Sequence, residues 1–338
     1  MKAFFSIFLA TLVAIFNFFT TEGSFCQLIN KGDITAYSET VTAEKEMPVF
    51  STDENGDFTI LQFTDTHFTT GLSYDDVALM KTMESQVREY NPDLVIVLGD
   101  LIDDGESGAF NKEYVLETVA EMFETLEQYW AYVPGNNDCI SYGTSADVTA
   151  YLSQFEHCLC SDIKEISGGA QYSIDIENGG TVVHSLIFLD TMDYDDEDDN
   201  YIYGYVQADQ VKWCEDEINS KLAAYGDISM SVFIHENTPA FSEAGLHGEA
   251  YKDGYAALGK MEEKYNIPKN KPLDDVLAAA GCVGLVSMGH AHPKENKCSF
   301  YNGTYYHVAA QTKVMGSVVT IHTDADSTRA MYDFASIK

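Results

Sequence analysis

Five short stretches of the chain are rich in side chains that bind metal ions. They contain aspartate, histidine and asparagine but no cysteine, and they are DTH (65–67), GD (99–100), GNND (135–138), HEN (235–237) and GHAH (289–292). Oxygen and imidazole ligands without thiolates favour zinc, manganese or iron. Each stretch alone has an ordinary explanation, because Gly-Asp is common in turns and a lone histidine is more often part of the core. Their joint occurrence predicts a metal site, in which one aspartate can bridge two ions about 3.5–4 Å apart.

Apolar strands precede these stretches and would bring them together. The predicted strands, in chain order, are FTILQFTDTH, DLVIVLGD, YWAYVPGNND, TVVHSLIFLD, SMSVFIHENT, CVGLVSMGHAHP, YYHVAA and SVVTIHT. Helical periodicity lies between them, over residues 73–90, 111–129, 207–224 and 272–280. This alternation predicts an α/β fold with a largely buried sheet. Ligands of such sheets collect at the carboxyl ends of the strands, where all five stretches lie.

The charge balance of the chain is strongly acidic. Of the 338 residues, 54 are acidic and 19 are basic, for a formal net charge of −35. Such a chain repels nucleic acid and anionic membrane surfaces, so we expect neither as a partner of the folded domain. A phosphate-bearing substrate would need local positive charge, yet the chain has only two arginines, Arg88 and Arg329. Metal ions are the obvious alternative source of that charge.

The first 23 residues are typical of a secretory signal peptide. Lys2 precedes an apolar run from Ala3 to Phe19, and the small residues Gly23 and Ser24 follow. An uncleaved anchor is the alternative, because the run is slightly long. We expect a secreted protein, or a lumenal one of the vacuole or lysosome type. The seven cysteines leave at least one thiol unpaired, and the sequence does not specify how the others pair.

Taken together, the five stretches resemble the calcineurin-like metallophosphoesterases, a family that includes the purple acid phosphatases. The family pattern is D-x-H, G-D-x-x-D, G-N-H-D/E, a lone histidine and G-H-x-H, and this chain has DTH, GDLID, GNND, IHEN and GHAH across residues 65–292. The stretches LQFTDTHF and FIHENTPAF look most like the small, single-domain purple-acid-phosphatase-like branch. The resemblance implies two β-sheets packed face to face and flanked by helices, a four-layer α/β/β/α sandwich. We expect this domain to span residues 58–338, after a lead segment at 24–57.

The resemblance also implies a role for each ligand and an activity. The residues that it assigns to two divalent or trivalent ions (Fe, Zn or Mn) are Asp65, His67 and His292 for the first, Asp100 as the bridge, and Asn136, His235 and His290 for the second. The implied reaction is hydrolysis of phosphate esters by in-line attack of a metal-bound hydroxide. The substrate is left open among monoesters, diesters, nucleotides and phosphoproteins.

Two positions depart from the family pattern. Asp103 stands where purple acid phosphatases have an iron-binding tyrosine, so we expect no purple charge-transfer band. In related non-purple enzymes this aspartate orients the histidine of G-N-H, but here that histidine is replaced by Asn137. Asn137 can bind phosphate by donating a hydrogen bond, but it cannot supply a proton to the leaving group. His247 is a candidate proton donor in its place, and an ordinary loop histidine is the alternative.

Three interpretations of function follow. The first is an exported dinuclear phosphoesterase, since losing a general acid costs only about 10²–10⁴-fold in rate. The second is a metal-binding pseudo-phosphatase that binds phosphate ligands without efficient turnover. The third, a metal-storage or structural domain, is disfavoured because nothing structural requires two open metal sites.

The remaining polar features are interpreted as structural or modified. Asn302 begins an N-glycosylation sequon, Asn-Gly-Thr, which occurs by chance fairly often. The acidic run at 193–199 lacks the spacing of a calcium loop, so a solvated loop is the better interpretation. The histidines expected to be structural are His157, His184, His307 and His322.

Overall fold

The computed structural model describes the placement of residues 47–69, 72–103, 112–138, 143–163, 165–191, 194–195, 202–252, 255–260, 262, 267–323 and 330–337. The signal segment and most of the acidic run at 193–199 lie outside these residues. Within the described ranges, no helix is long and apolar enough to cross a membrane.

Two mixed β-sheets form the centre of the molecule. The five-stranded sheet contains β2 (Asp57–Phe63), β3 (Leu94–Leu98), β4 (Trp130–Val133), β14 (Gly316–His322) and β15 (Met331–Ile337). Its order is β15-β14-β2-β3-β4, and β2, β3 and β4 run parallel. All residues of β3 and β4 and five of the seven in β2 are buried, which explains why β3 and β4 read as continuous apolar runs.

The second sheet has eight strands. They are β1 (Phe50–Ser51), β5 (Gln171–Asn178), β6 (Thr181–Leu189), β9 (Ser229–Phe233), β10 (Glu249–Ala250), β11 (Val283–Met288), β12 (Lys297–Tyr301) and β13 (Thr304–Val308). Their order is β1-β5-β6-β9-β11-β13-β12-β10, with β6, β9, β11 and β13 parallel. A separate two-stranded ribbon pairs β7 (Tyr194–Asp195) with β8 (Ile202–Tyr203).

Helices cover the outer faces of both sheets. They are α1 (Tyr74–Tyr90), α2 (Lys112–Thr125), α3 (Ser145–Leu152), α4 (Ala208–Tyr225), α5 (Pro239–His247) and α6 (Lys271–Ala280), with a 3₁₀ turn at Pro268–Asn270 before α6. One apolar core joins the two sheets with α1 and α2, and a second core lies between the eight-stranded sheet and α4, α5 and α6. The predicted sandwich of two sheets flanked by helices is confirmed.

Local signals explain where α1 begins and ends. Ser73 and Asp76 form a reciprocal capping box at its start, and Asn91 adopts a left-handed conformation at its end, just before Pro92. The second predicted helix was too long, because α2 ends at Thr125 and Glu127 has a φ of 52°. A left-handed residue cannot continue an α-helix, so the predicted end at residue 129 was wrong.

The sequence did not predict the short strands β1, β7, β8 and β10, nor the longer elements β5, β12, β15, α3 and α5. Strand β5 pairs antiparallel with β6 through a turn at Gly179 and Gly180, so one predicted strand is in fact half of a hairpin. Similarly, β12 and β13 form a hairpin around Asn302 and Gly303. Helix α5 starts with Pro239 at its first turn and has only nine residues, which left little periodicity to detect.

Two of the histidines expected to be structural lie in the eight-stranded sheet. His184 is fully buried, with Nδ1 2.8 Å from Ser229 Oγ and Nε2 2.9 Å from Ser231 Oγ. His307 is also buried, with Nδ1 2.9 Å from Ser287 Oγ. Burial lowers the pKa of each imidazole to about 3, so both are neutral in the folded protein at ordinary pH.

These two histidines predict a loss of stability in acid. Each folded-state pKa lies below the unfolded value of about 6.5, so the unfolded chain binds protons first as the pH falls. Lowering the pH from 8 to 5 should therefore reduce the unfolding free energy by about 2 kcal/mol for each of these histidines. In urea titrations at both pH values, His184→Gln should show a pH dependence smaller by about that amount. His247→Gln, which alters a 62% exposed side chain, is the control. If the unfolding free energy of His184→Gln changed between the two pH values as much as that of the wild type, the prediction would be contradicted.

Candidate metal centre

The candidate ligands follow strands of both sheets at their carboxyl ends. Asp65 and His67 follow β2, Asp100 follows β3 and Asn136 follows β4, three parallel neighbours in the five-stranded sheet. His235 follows β9, and the pair at 290 and 292 follows β11, two parallel neighbours in the eight-stranded sheet. Because the sheets pack face to face, these two edges meet, and residues up to 227 positions apart come into contact.

Four side chains form a first group of potential metal ligands: Asp65, His67, Asp100 and His292. One ligand atom from each lies within 4.8 Å of the others. Nε2 of His292 is 2.8 Å from Asp65 Oδ1 and 3.1 Å from Nε2 of His67. Two nitrogens bound at about 2.1 Å to the same ion lie roughly 3.0–3.4 Å apart. The spacing of the two imidazoles therefore fits a shared cation.

Asp100 also belongs to a second group, with His235 and His290. Nε2 of His235 lies 3.4 Å from Asp100 Oδ1, and the two imidazole rings of this group are 5.2 Å apart. Nδ1 of His235 lies 2.6 Å from the Leu98 carbonyl, which can only accept a hydrogen bond. Nδ1 therefore carries a proton, and Nε2 is the nitrogen presented to the group. A carboxylate shared by both groups could bridge two ions.

The backbone is unusual at most of these ligands. Five of the seven have a positive φ: Asp65 (52°), His67 (45°), Asp100 (50°), His290 (62°) and His292 (45°). Such conformations cost non-glycine residues about 1–3 kcal/mol each, and they persist only where the surroundings enforce them. These five left-handed residues cluster at one edge of the sandwich, which marks this edge as a candidate functional site.

Neighbouring glycines allow the loops to approach each other closely. A Cβ on Gly135 would collide with the backbone nitrogen and Oδ1 of Asp100. A Cβ on Gly289 would collide with the Thr64 hydroxyl and lie 2.9 Å from Asp65 Oδ2. The glycines of the GNND and GHAH stretches are therefore required because there is no space for a Cβ at either position.

Asn137 makes both of its hydrogen bonds to Asp100. Its backbone N–H donates to Oδ1 at 2.8 Å, and its side-chain Nδ2 donates to Oδ2 at 2.5 Å. From the sequence, this amide is expected to bind substrate phosphate; in the structure, it faces the shared carboxylate. Asn136 is buried at the start of the same helical turn, at 136–138.

Asp100 and His235 each stabilise the charged form of the other. Burial would raise the pKa of Asp100, but the charges of His235 and His67 and the hydrogen bond from Asn137 hold that pKa well below its usual range. Burial would lower the pKa of His235, but Asp100 raises it. The pKa of His290 is lowered to about 3, by burial and by the charge of His235. A cation bound at His235 would displace its proton, so metal binding releases protons.

Two of the predicted catalytic residues lie outside both ligand groups. Asp103 is half-buried, and its backbone N–H donates to the Phe68 carbonyl at 3.0 Å. His247 is the last residue of α5, with a 62% exposed side chain that lies 3.8 Å from Glu243.

Asp138 supports the centre and was not given a role from the sequence. Its fully buried carboxylate accepts hydrogen bonds from Ile102 N–H (2.9 Å), Gly135 N–H (3.0 Å) and the Tyr132 hydroxyl (2.6 Å). It therefore joins the loops that follow β3 and β4. Burial and the charge of Asp100 raise the pKa of this carboxyl to about 6. The sequence shows that Asp138 ends the GNND stretch, but it does not show that the loop after β3 supplies one of its hydrogen-bond donors.

Thr64 supports the first group in a similar way. Its hydroxyl lies 2.7 Å from Asp65 Oδ2 and 2.9 Å from the Leu98 carbonyl. The backbone N–H of His290 also donates to Asp65 Oδ2, at 3.0 Å. Oδ1 of Asp65 is therefore the oxygen that remains directed toward His292.

Comparisons with known proteins agree with this arrangement. The model of the calcineurin-like phosphoesterase family matches residues 58–294. A dimetal phosphatase from Danio rerio is similar in structure, with a TM-score of 0.57 and 14% identity over 83% of this chain and 98% of that one. A putative 5'-nucleotidase from Staphylococcus aureus in complex with alpha-ketoglutarate has a TM-score of 0.51 and 12% identity, over 83% of this chain and 54% of that one. At these identities the similarity establishes the fold alone. No curated protein matches the sequence.

The position of Asp138 predicts a strong effect of substitution. Asp138→Asn replaces one accepting oxygen by an N–H group that faces other donors, so we expect unfolding free energy to fall by about 2–3 kcal/mol. The measurement is urea unfolding of the metal-free protein. Asp216→Asn, at a 61% exposed carboxylate, should change it by less than about 0.5 kcal/mol. Equal stabilities for the two variants would contradict the proposed support of the loops.

Proposed function

Because the chain belongs to the calcineurin-like phosphoesterase family, we propose that it hydrolyses phosphate esters at a pair of metal ions. The observation that carries this proposal is that Asp100 is shared by two groups of potential ligands. Five ligand residues with a positive φ meet there. Carboxylate and imidazole donors suit iron, zinc or manganese. The identities of the two ions are left open by the donor set.

The ions and the protein would contribute differently to the reaction. Two bound cations supply Lewis-acid polarisation of the phosphoryl group and activation of water near neutral pH. The protein residues hold the ligands still: Leu98 fixes the tautomer of His235, and Thr64 fixes the orientation of Asp65. In a chain with a net charge of −35, the ions would also offset repulsion of a phosphate-bearing substrate.

Asn137 acts, in this proposal, on the shared carboxylate. Its two hydrogen bonds hold both oxygens of Asp100 in one orientation. An amide cannot protonate a leaving group, and His247 lies outside both ligand groups. The substrates that suit the centre best are therefore those with good leaving groups, such as aryl phosphates and phosphoanhydrides.

A pseudo-phosphatase is the second candidate function, and Asn137 is the observation that favours it. A protein with intact ligands but no proton donor could bind phosphate compounds without efficient turnover. Turnover of activated substrates distinguishes the two, because a good leaving group does not need a proton.

The site of action and the modification of the protein are proposals from the sequence. We propose export or delivery to a lumenal compartment, on the basis of the apolar N-terminal run, and membership of the purple-acid-phosphatase-like branch. Asn302 occupies the exposed turn between β12 and β13, which supports the proposal that it is glycosylated.

The first prediction of this proposal concerns metal content and activity together. Protein loaded with manganese, zinc or iron should bind two ions and hydrolyse an aryl phosphate. Because Asp100 is shared, Asp100→Ala should lose both ions, whereas His292→Ala and His290→Ala should each retain about one. Metal content by mass spectrometry and release of the aryl alcohol are the measurements. Two bound ions without hydrolysis would favour the pseudo-phosphatase, and one ion in the wild type would contradict the dinuclear centre.

The second prediction restores the missing proton donor. Asn137→His should raise turnover of alkyl phosphates more than turnover of aryl phosphates, because poor leaving groups gain most from protonation. The difference should reach about 10-fold or more, against the full contribution of about 10²–10⁴-fold from a well-positioned general acid. Asn137→Gln, which retains an amide, is the control. Equal gains on both substrates would count against the account of a missing acid.

A further inference from the structure

The two ligand groups differ in their access to solvent. In the first group, the side chain of His292 is 37% exposed and that of His67 is 14% exposed. In the second group, His235 is fully buried and His290 is 5% exposed. A substrate in solution therefore reaches the centre from the side of His292, where the first group opens.

A short turn at residues 311–315, here called the 311–315 turn, stands at this open side. Nε2 of Gln311 lies 3.1 Å from Nδ1 of His292. The Gln311 carbonyl accepts hydrogen bonds from the N–H groups of Val314 (2.8 Å) and Met315 (3.1 Å), which closes the turn. The turn is thus in direct contact with the most exposed ligand of the centre.

The 311–315 turn is also fastened to the loop that carries Asp65. The backbone N–H of Thr312 donates to the Thr64 carbonyl at 3.0 Å, and the Thr312 hydroxyl donates to the same carbonyl at 2.9 Å. The Thr64 N–H donates in turn to Thr312 Oγ1 at 2.8 Å. These three bonds hold the backbone next to Lys313 in a fixed position relative to the ligands.

Lys313 brings a positive charge to this turn. Its side chain is exposed, and it lies two residues beyond Gln311, which contacts His292. A cation here is notable in a chain with 54 acidic residues and 19 basic ones. Lysine presents three donors on a flexible stem, which suits phosphoryl oxygens.

We propose that Lys313, held by the 311–315 turn, forms a phosphate-binding subsite at the open side of the centre and selects phosphomonoesters. This rests on the proposed function and deepens it. A phosphomonoester carries two negative charges at neutral pH and a diester carries one, so a cation outside the metal ligands stabilises the monoester more. Gln311 is a positioning residue, because it acts by tying the turn to His292.

The test compares Lys313→Gln with the wild type, both loaded with metal. The variant should raise KM for an aryl phosphomonoester about 10-fold, raise KM for the matched diester less than about threefold, and lower kcat much less than it raises KM. Lys212→Gln removes the same charge from a 62% exposed side chain on α4 and should match the wild type. Lys313→Arg should restore most of the monoester KM, since it restores the charge.

Binding of inorganic phosphate, measured by calorimetry, separates this proposal from the proposed function. Lys313→Gln should weaken phosphate binding to the metal-loaded protein by about 10-fold, whether or not the wild type shows turnover. If the wild type binds phosphate but hydrolyses nothing, the hydrolytic function is wrong. The subsite is then still tested by the difference in phosphate affinity between Lys313→Gln and the wild type. Equal phosphate affinities in Lys313→Gln and the wild type, or equal KM changes for monoester and diester, would overturn the subsite.

Discussion

The centre depends on the buried carboxylate of Asp100. A charge in this position is costly unless it is paired, and here His235, His67 and both N–H groups of Asn137 surround it. These contacts keep the carboxylate ionised, and an ionised carboxylate is the form that binds cations. The same contacts aim its two oxygens toward the two ligand groups. The loops around the site hold this carboxylate and its partners in place.

That apparatus consists of loops fastened to one another across the two sheets. Asp138 joins the loops after β3 and β4, and Thr64 is bonded to Asp65 on one side and to Thr312 on the other. The sheets supply a rigid base, because their cores are closely packed beneath the loops. A rigid base is what allows several ligands to remain in left-handed backbone conformations that would otherwise relax.

Asn137 changes the chemistry that such a centre can perform. By donating into Asp100 it contributes to the position of the ligands, but it supplies no proton. Under the proposed function, binding of phosphate would depend on the cations and on the open side near His292, whereas departure of the leaving group would depend on the substrate itself. Under the proposed function, such a protein would favour leaving groups that depart without protonation.

The sequence by itself determined the chemical identity of the site and the layered α/β architecture. Ligand types sit directly after apolar strands, and a capping box and a left-handed Asn91 delimit α1, so these features depend on neighbours a few residues apart. Only the tertiary structure decided that β5 and β12 form hairpins, that Asn137 faces Asp100, and that Gln311 contacts His292. Those contacts join residues far apart in the chain through the packing of two sheets, and no local periodicity encodes which loops that packing brings together.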